Sequence, residues 1–140
     1  MTERIVKVGI ATYEQQKARL MAIGRGEYKP APDEPKIWFS SIESFAQVLS
    51  TKNQLLLDLI AAAEPASLAE LESLSGRKGP NLSRTLKTLA KFGLVELRRQ
   101  GKTLVPRAVY DRVSVDLPLL AAARQQGTLP STKPGGSTTA

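Results

Sequence analysis

The pattern of apolar and polar positions divides the chain into short elements. Arg4-Ile5-Val6-Lys7-Val8-Gly9-Ile10 is rich in β-branched residues that roughly alternate, which predicts a strand. Thr12 is positioned to cap a helix over residues 13–24, with Leu20 and Ile23 on its apolar side and Gly24-Arg25-Gly26 as its stop. Pro30, Pro32 and Pro35 then exclude regular structure, because proline lacks an amide donor and restricts the residue before it. This stretch reads as a linker. Lys36-Ile37-Trp38-Phe39 follows as a short strand, with Trp38 expected in the core.

A series of helix starts comes next. Ser40 with Glu43, Thr51 with Gln54, and Ser67 with Glu70 each have the spacing of a capping box. Each is followed by apolar residues at helical intervals: Ile42, Phe45, Val48 and Leu49; then Leu55, Leu56, Leu59 and Ile60; then Leu68, Leu71 and Leu74. Gly79-Pro80 opens a fourth helix, since proline suits a first turn, and Leu82, Leu86 and Leu89 carry it to Gly93. Beyond Gly93 the period becomes extended: residues 94–99 form a strand, 100–102 a turn and 103–106 a returning strand. Residues 109–117 continue in extended form. A short Ala-rich helix is expected over residues 118–126, and the Gly, Pro, Ser and Thr of residues 127–140 predict a disordered tail.

The composition removes several classes of chemistry. The 140 residues contain no Cys and no His, which excludes disulfides, thiolate catalysis, the usual zinc sites and His-based triads. No catalytic constellation, metal site or cofactor site is expected, and an enzyme is the least favoured class. The apolar runs are too short to span a bilayer and the N-terminus has no signal-peptide core, so a cytoplasmic location is expected. Gly24-Arg25-Gly26 lacks the lysine of a phosphate loop, and Glu70 and Glu72, two apart on a helix, face different ways.

Charge changes the picture more than composition does. The net charge is +7, and residues 77–107 hold nine Lys or Arg against Glu96 alone, a local charge of +8. Residues 42–76 reverse the sign, with five acids against Lys52. Such segregation favours one positive face over a mixed, solubilising surface. The last two helices meet at Ser75-Gly76-Arg77-Lys78-Gly79. The second has an apolar side of Leu82, Leu86, Leu89 and Phe92, and an opposite side carrying Asn81, Arg84, Lys87, Thr88 and Lys91. A basic amphipathic helix alone is more often a solvated face. With a preceding helix, a Gly turn and a hairpin bearing Arg98, Arg99 and Lys102, it is better read as a helix for the major groove of double-stranded DNA.

Asn81-Leu82-Ser83-Arg84-Thr85-Leu86-Lys87-Thr88-Leu89, followed by Phe92-Gly93-Leu94-Val95-Glu96-Leu97, resembles the recognition helix and first wing strand of MarR-like regulators. Ser67-Leu68-Ala69-Glu70-Leu71 resembles their positioning helix, and Val6–Ile10 with Pro35–Ser41 resembles a family of small MarR-like regulators, some members of which have been proposed as antitoxins. The resemblance covers roughly residues 4–117; the chain departs from it in having Gly79-Pro80 where polar residues are usual.

The resulting expectation is an α+β fold. It comprises a winged helix-turn-helix over residues 40–117, an N-terminal strand–helix–strand extension over 1–39 and a short C-terminal helix. Asn81, Ser83 and Arg84 would read bases, with Thr88 on the same face. Arg77, Lys78, Lys87 and Lys91 would neutralise phosphates, and Arg98, Arg99 and Lys102 would hold the wing to the backbone. A homodimeric repressor is expected, because pairing doubles the length of DNA read. The alternative is an antitoxin that binds a partner toxin and regulates its own operon. An RNA-binding role is disfavoured, because aromatic residues for base stacking are only 5% of the chain.

Overall fold

A computed structural model describes residues 2–120. In chain order the elements are β1 (Ile5–Ile10), α1 (Tyr13–Gly24), β2 (Ile37–Phe39), α2 (Ile42–Val48), α3 (Thr51–Ala63), α4 (Leu68–Ser75), α5 (Gly79–Lys91), β3 (Val95–Gln100), β4 (Thr103–Ala108) and β5 (Arg112–Asp116). The fold is α+β. It divides into two compact units: Phe45–Arg112 with the chain up to Ile5, and Val6–Ser44 with the described residues from Val113. No helix among the described residues is long and apolar enough to cross a membrane.

The core of the first unit is aliphatic. Leu82, Leu86 and Leu89 of α5 are at most 1% exposed, and they are buried along with Leu71 of α4, Leu56 and Ile60 of α3, and Val95 and Val105 of the β3–β4 pair. Their spacing of four and three puts one face of α5 inward, as the periodicity predicts. α4 ends at Gly76, whose φ of +73° is a left-handed conformation that glycine adopts without steric cost. β3 and β4 form an antiparallel hairpin in register from Val95↔Ala108 to Gln100↔Thr103. Gly101, with φ of +64°, starts its two-residue turn.

Helix starts follow the capping logic with shifts of one residue. Ser41 rather than Ser40 accepts the amide hydrogen of Ser44 at α2, and Ser50 rather than Thr51 accepts that of Asn53 at α3. Adjacent hydroxyl residues satisfy the same rule, and the apolar register of the helix chooses between them. Ser67 caps α4 as expected, but the Glu70 carboxylate accepts from Ala66 rather than from the cap residue. At α1 both halves of a capping box form between Thr12 and Gln15. Several expected core residues instead face outward: Leu20 is 65% exposed and Leu55 is 64% exposed, with Leu74 and Ile42 also exposed. α1 buries Ala22 in place of Leu20.

In the second unit, β1, α1 and β2 form a β–α–β segment. β1 and β2 are parallel, with Val8↔Ile37, Gly9↔Trp38 and Ile10↔Phe39 in register, and β5 lies on the other side of β1. Residues 112–116 are therefore extended as expected, but they belong to this sheet and do not prolong the β3–β4 pair. Val6, Val8, Ile37 and Phe39 are buried. Gly9 is required by close approach: a Cβ there would lie 2.5 Å from the Trp38 ring. The Arg19 guanidinium sits 5.1 Å from the Trp38 ring centre and 5.9 Å from that of Tyr28, and it pairs with Glu34 at 2.8 Å. With its side chain only 12% exposed, Arg19 ties the proline-bearing stretch to α1. Residues 118–120 are not helical; the rest of the expected C-terminal helix, and the tail from 127, lie outside the described residues.

The start of the chain is held by charge. Asp111 accepts from the Arg4 amide at 2.7 Å and from its guanidinium at 3.3 Å, and Glu3 pairs with Arg112 at 2.9 Å. The hydrogen bond from the Arg4 amide, reinforced by its side chain, holds the Asp111 carboxyl below the usual aspartate range. A depressed carboxyl pKa contributes stability that is present above the unfolded value, near 4, and lost as the pH falls through the folded value. Asp111→Asn is therefore expected to lower the melting temperature at pH 7, with the difference closing as the pH falls below the ordinary aspartate range. Thermal melts across that range check this, and a difference that persists in acid would contradict it. Packing makes a second prediction. Leu86→Ala should cost about 2–5 kcal/mol in urea titrations, whereas Leu55→Ala should stay within about 0.5 kcal/mol of the parent.

Candidate nucleic-acid interface

α5 presents two chemically distinct sides. With the three leucines inward, Asn81, Arg84, Lys87, Thr88 and Lys91 are exposed, and Ser83 is half-buried at the margin. Arg84 and Lys91 lie seven residues apart, close to two full turns, so their side chains project in nearly the same direction. The helix carries no acid, and Lys91 in its last turn complements the negative end of the helix dipole. Arg84 reaches back only to the Pro80 carbonyl, at 3.5 Å, the outer limit of a hydrogen bond. Lys78 occupies the cap position of α5 without a side-chain cap bond, and the Glu72 carboxylate lies beside Gly79.

The structure departs most from the expected roles at Arg77. Instead of being free for an anion, its guanidinium makes four internal hydrogen bonds. Nε and Nη2 donate to Asn81 Oδ1 at 3.2 and 3.0 Å, Nη2 donates to Thr85 Oγ1 at 2.9 Å, and Nη1 donates to Asn53 Oδ1 at 3.1 Å. The local fold explains why. Left-handed Gly76 turns the chain, Ser75 Oγ accepts the Arg77 amide, and the side chain is directed over the first two turns of α5. Asn53 is itself held at the start of α3, its Nδ2 donating to Val48 O at 2.9 Å. The sequence reading missed Asn53 and Thr85. Thr85 had a local signal, since Arg77, Asn81 and Thr85 recur at intervals of four. Asn53, 24 residues away, had none.

The hairpin sorts its charges by strand alternation. Arg98 and Arg99 point to opposite faces, because neighbouring strand residues do. Arg98 pairs with Glu96, two residues back on its own face, at 2.9 Å. Arg99 is exposed towards the tip and Lys102 is exposed in the turn. Arg107, counted in the positive segment, donates to the Pro65 and Pro106 carbonyls and is a structural residue. Among the described residues, Lys78, Arg84, Lys87, Lys91, Arg99 and Lys102 take part in no ion pair. The described residues also contain no cluster of acids that could hold a metal.

A family model named HVO_A0114 matches residues 48–115. The matched span runs from the last residue of α2 through most of β5, and so covers α3, α4, α5 and the hairpin. It nearly coincides with the compact unit Phe45–Arg112. No curated protein and no solved structure matches the chain.

Proposed function

We propose that the compact unit Phe45–Arg112 acts as a winged helix-turn-helix, without the β5 strand, and that the protein binds double-stranded DNA as a sequence-specific transcriptional regulator. α4 is the positioning helix, α5 the recognition helix and the β3–β4 hairpin the wing. The observation that carries this reading is the outer face of α5, where Arg84, Lys87 and Lys91 stand exposed with no acidic partner beside exposed Asn81 and Thr88. A face that served only solubility would be expected to mix signs. An amide and a guanidinium on a helix narrow enough for the major groove are the donors that base edges accept, and the lysines meet phosphates. Arg99 and Lys102 extend the positive surface along the hairpin. A single helix reads few base pairs, so the regulator is proposed to work as a homodimer on a two-fold site, repressing by occupying a promoter.

Two measurements test this on a labelled duplex selected by binding from a random library. With about 4–6 cations at phosphates per protomer, log K should fall against log[KCl] with a slope of about −0.9 per contact. A flat salt profile would reject DNA binding. Arg84→Ala and Lys102→Ala should then fail differently. Losing the Arg84 guanidinium from a base edge should cost about 1–3 kcal/mol on the selected duplex and far less on a scrambled one. Losing Lys102 should weaken both duplexes alike and flatten the slope by about one contact. Undiminished specific binding by the Arg84 variant would mean that the outer face of α5 does not read bases.

A further inference from the structure

The bond pattern at Arg77 restricts what Asn81 can offer a ligand. An asparagine amide ordinarily presents one acceptor oxygen and one donor group, the pair that matches adenine, whose major-groove edge has an N7 acceptor beside an N6 donor. Here Oδ1 of Asn81 accepts two hydrogen bonds from Arg77, at 3.2 and 3.0 Å, which uses both of its lone pairs. The exposed Asn81 is left with its Nδ2 hydrogens alone. Rotation of the amide to reverse this is opposed, because Nδ2 would then face a cation that can only donate. The guanidinium cannot follow the amide, since Nη2 also donates to Thr85 at 2.9 Å and Nη1 donates to Asn53 at 3.1 Å.

We infer that Arg77 is a positioning residue that makes Asn81 a donor-only reader, so that α5 selects a base presenting acceptors, guanine with its O6 and N7 ahead of thymine with O4 alone, where a free asparagine would select adenine. The inference rests on the DNA-binding reading above and deepens it. It also separates Arg77 from its neighbours: Lys78, Lys87 and Lys91 carry charge to the ligand, whereas Arg77 supplies geometry. Its charge is shared among the three oxygen acceptors of Asn53, Asn81 and Thr85, and none of these is an acid. The clamp also links the starts of α3 and α5 through Asn53, so the orientation of the reading amide is tied to the packing of the helices.

The test uses the full chain and the duplex recovered by selection. Asn81→Ala first identifies the base pair that Asn81 reads, as the position whose preference collapses; guanine is expected there in the parent. Arg77→Met should leave the salt slope unchanged and turn the preference at that one base pair towards adenine, by about fivefold or more. Arg77→Lys, which keeps the charge but cannot bridge the three acceptors, should do the same. If either variant melts too low for assay, Asn81→Asp retains acceptors for Arg77 and removes the donors. It should keep the parent's melting temperature while losing the guanine preference by a similar factor. A fall in the Arg77→Met slope by one contact, with base preference intact, would make Arg77 a phosphate ligand and overturn the inference. So would an adenine preference in the parent, or a guanine preference that survives Asn81→Asp. Absence of any salt-dependent duplex binding by the parent would instead remove the reading underneath; a double-mutant cycle of thermal melts on Arg77→Met and Asn81→Ala tests the clamp separately, with non-additive losses expected and additive ones overturning it.

Discussion

Burial of Leu82, Leu86 and Leu89 sets the rotation of α5 about its own axis, and every outward-facing group on that helix takes its direction from it. Three leucines at intervals of four and three leave no equivalent alternative rotation, because turning the helix by one residue would expose an apolar side chain and bury a cation. α4 is ended by left-handed Gly76 and α5 begins at Gly79, so the two meet at an angle fixed by a three-residue turn. The hairpin then closes the same core through Val95 and Val105. The basic face is a by-product of where the leucines go.

Polar contacts refine this hydrophobic frame. The guanidinium of Arg77 joins α3, the turn and α5 through neutral oxygens only, which is a way of using an arginine that a charge count cannot detect. Hydrogen bonds from a charged donor to neutral acceptors are stronger than neutral ones and demand fixed geometry, so the clamp adds precision where the leucines add free energy. Arg107 behaves similarly at the Pro65 carbonyl, and Arg19 in the other unit lies against two aromatic rings and pairs with one carboxylate, its buried Nε left without a hydrogen-bond partner. These three arginines are thus structural, and the exposed positive charge without an ion-pair partner on the described part of the first unit is carried by lysines with Arg84 and Arg99.

The elements were legible in the sequence because each has a strong period and a local stop signal: α1 and α5 coincide with the spans predicted from Thr12, Gly24 and Gly79-Pro80, and the hairpin turn falls at Gly101. Cap positions slipped by one where two hydroxyl residues stand side by side, at Ser40-Ser41 and at Ser50-Thr51, since a local rule cannot rank equal candidates. The partner of β5 was not legible, because nothing near residues 112–116 indicates β1, more than 100 residues away. Nor was the exposure of Leu20 and Leu55, which depends on what packs against each helix. At the candidate site the outward set on α5 followed from periodicity, whereas Arg98 and Arg99 were grouped together although strand alternation sends them to opposite faces. The engagement of Arg77 needed Asn53 in space.

The placement of Trp38 has a practical consequence for any solution study. It is the chain's one tryptophan, and it lies in the unit built from Val6–Ser44, stacked against Arg19 and pressed over Gly9. Its fluorescence therefore monitors that unit, while α3, α4 and α5, which hold most of the helical residues among those described, contribute their ellipticity from the other. The two signals are separate optical windows on separate units. Coincident transitions would establish that the units unfold as one cooperative block, and divergent ones would assign each transition to its own unit without labelling the protein.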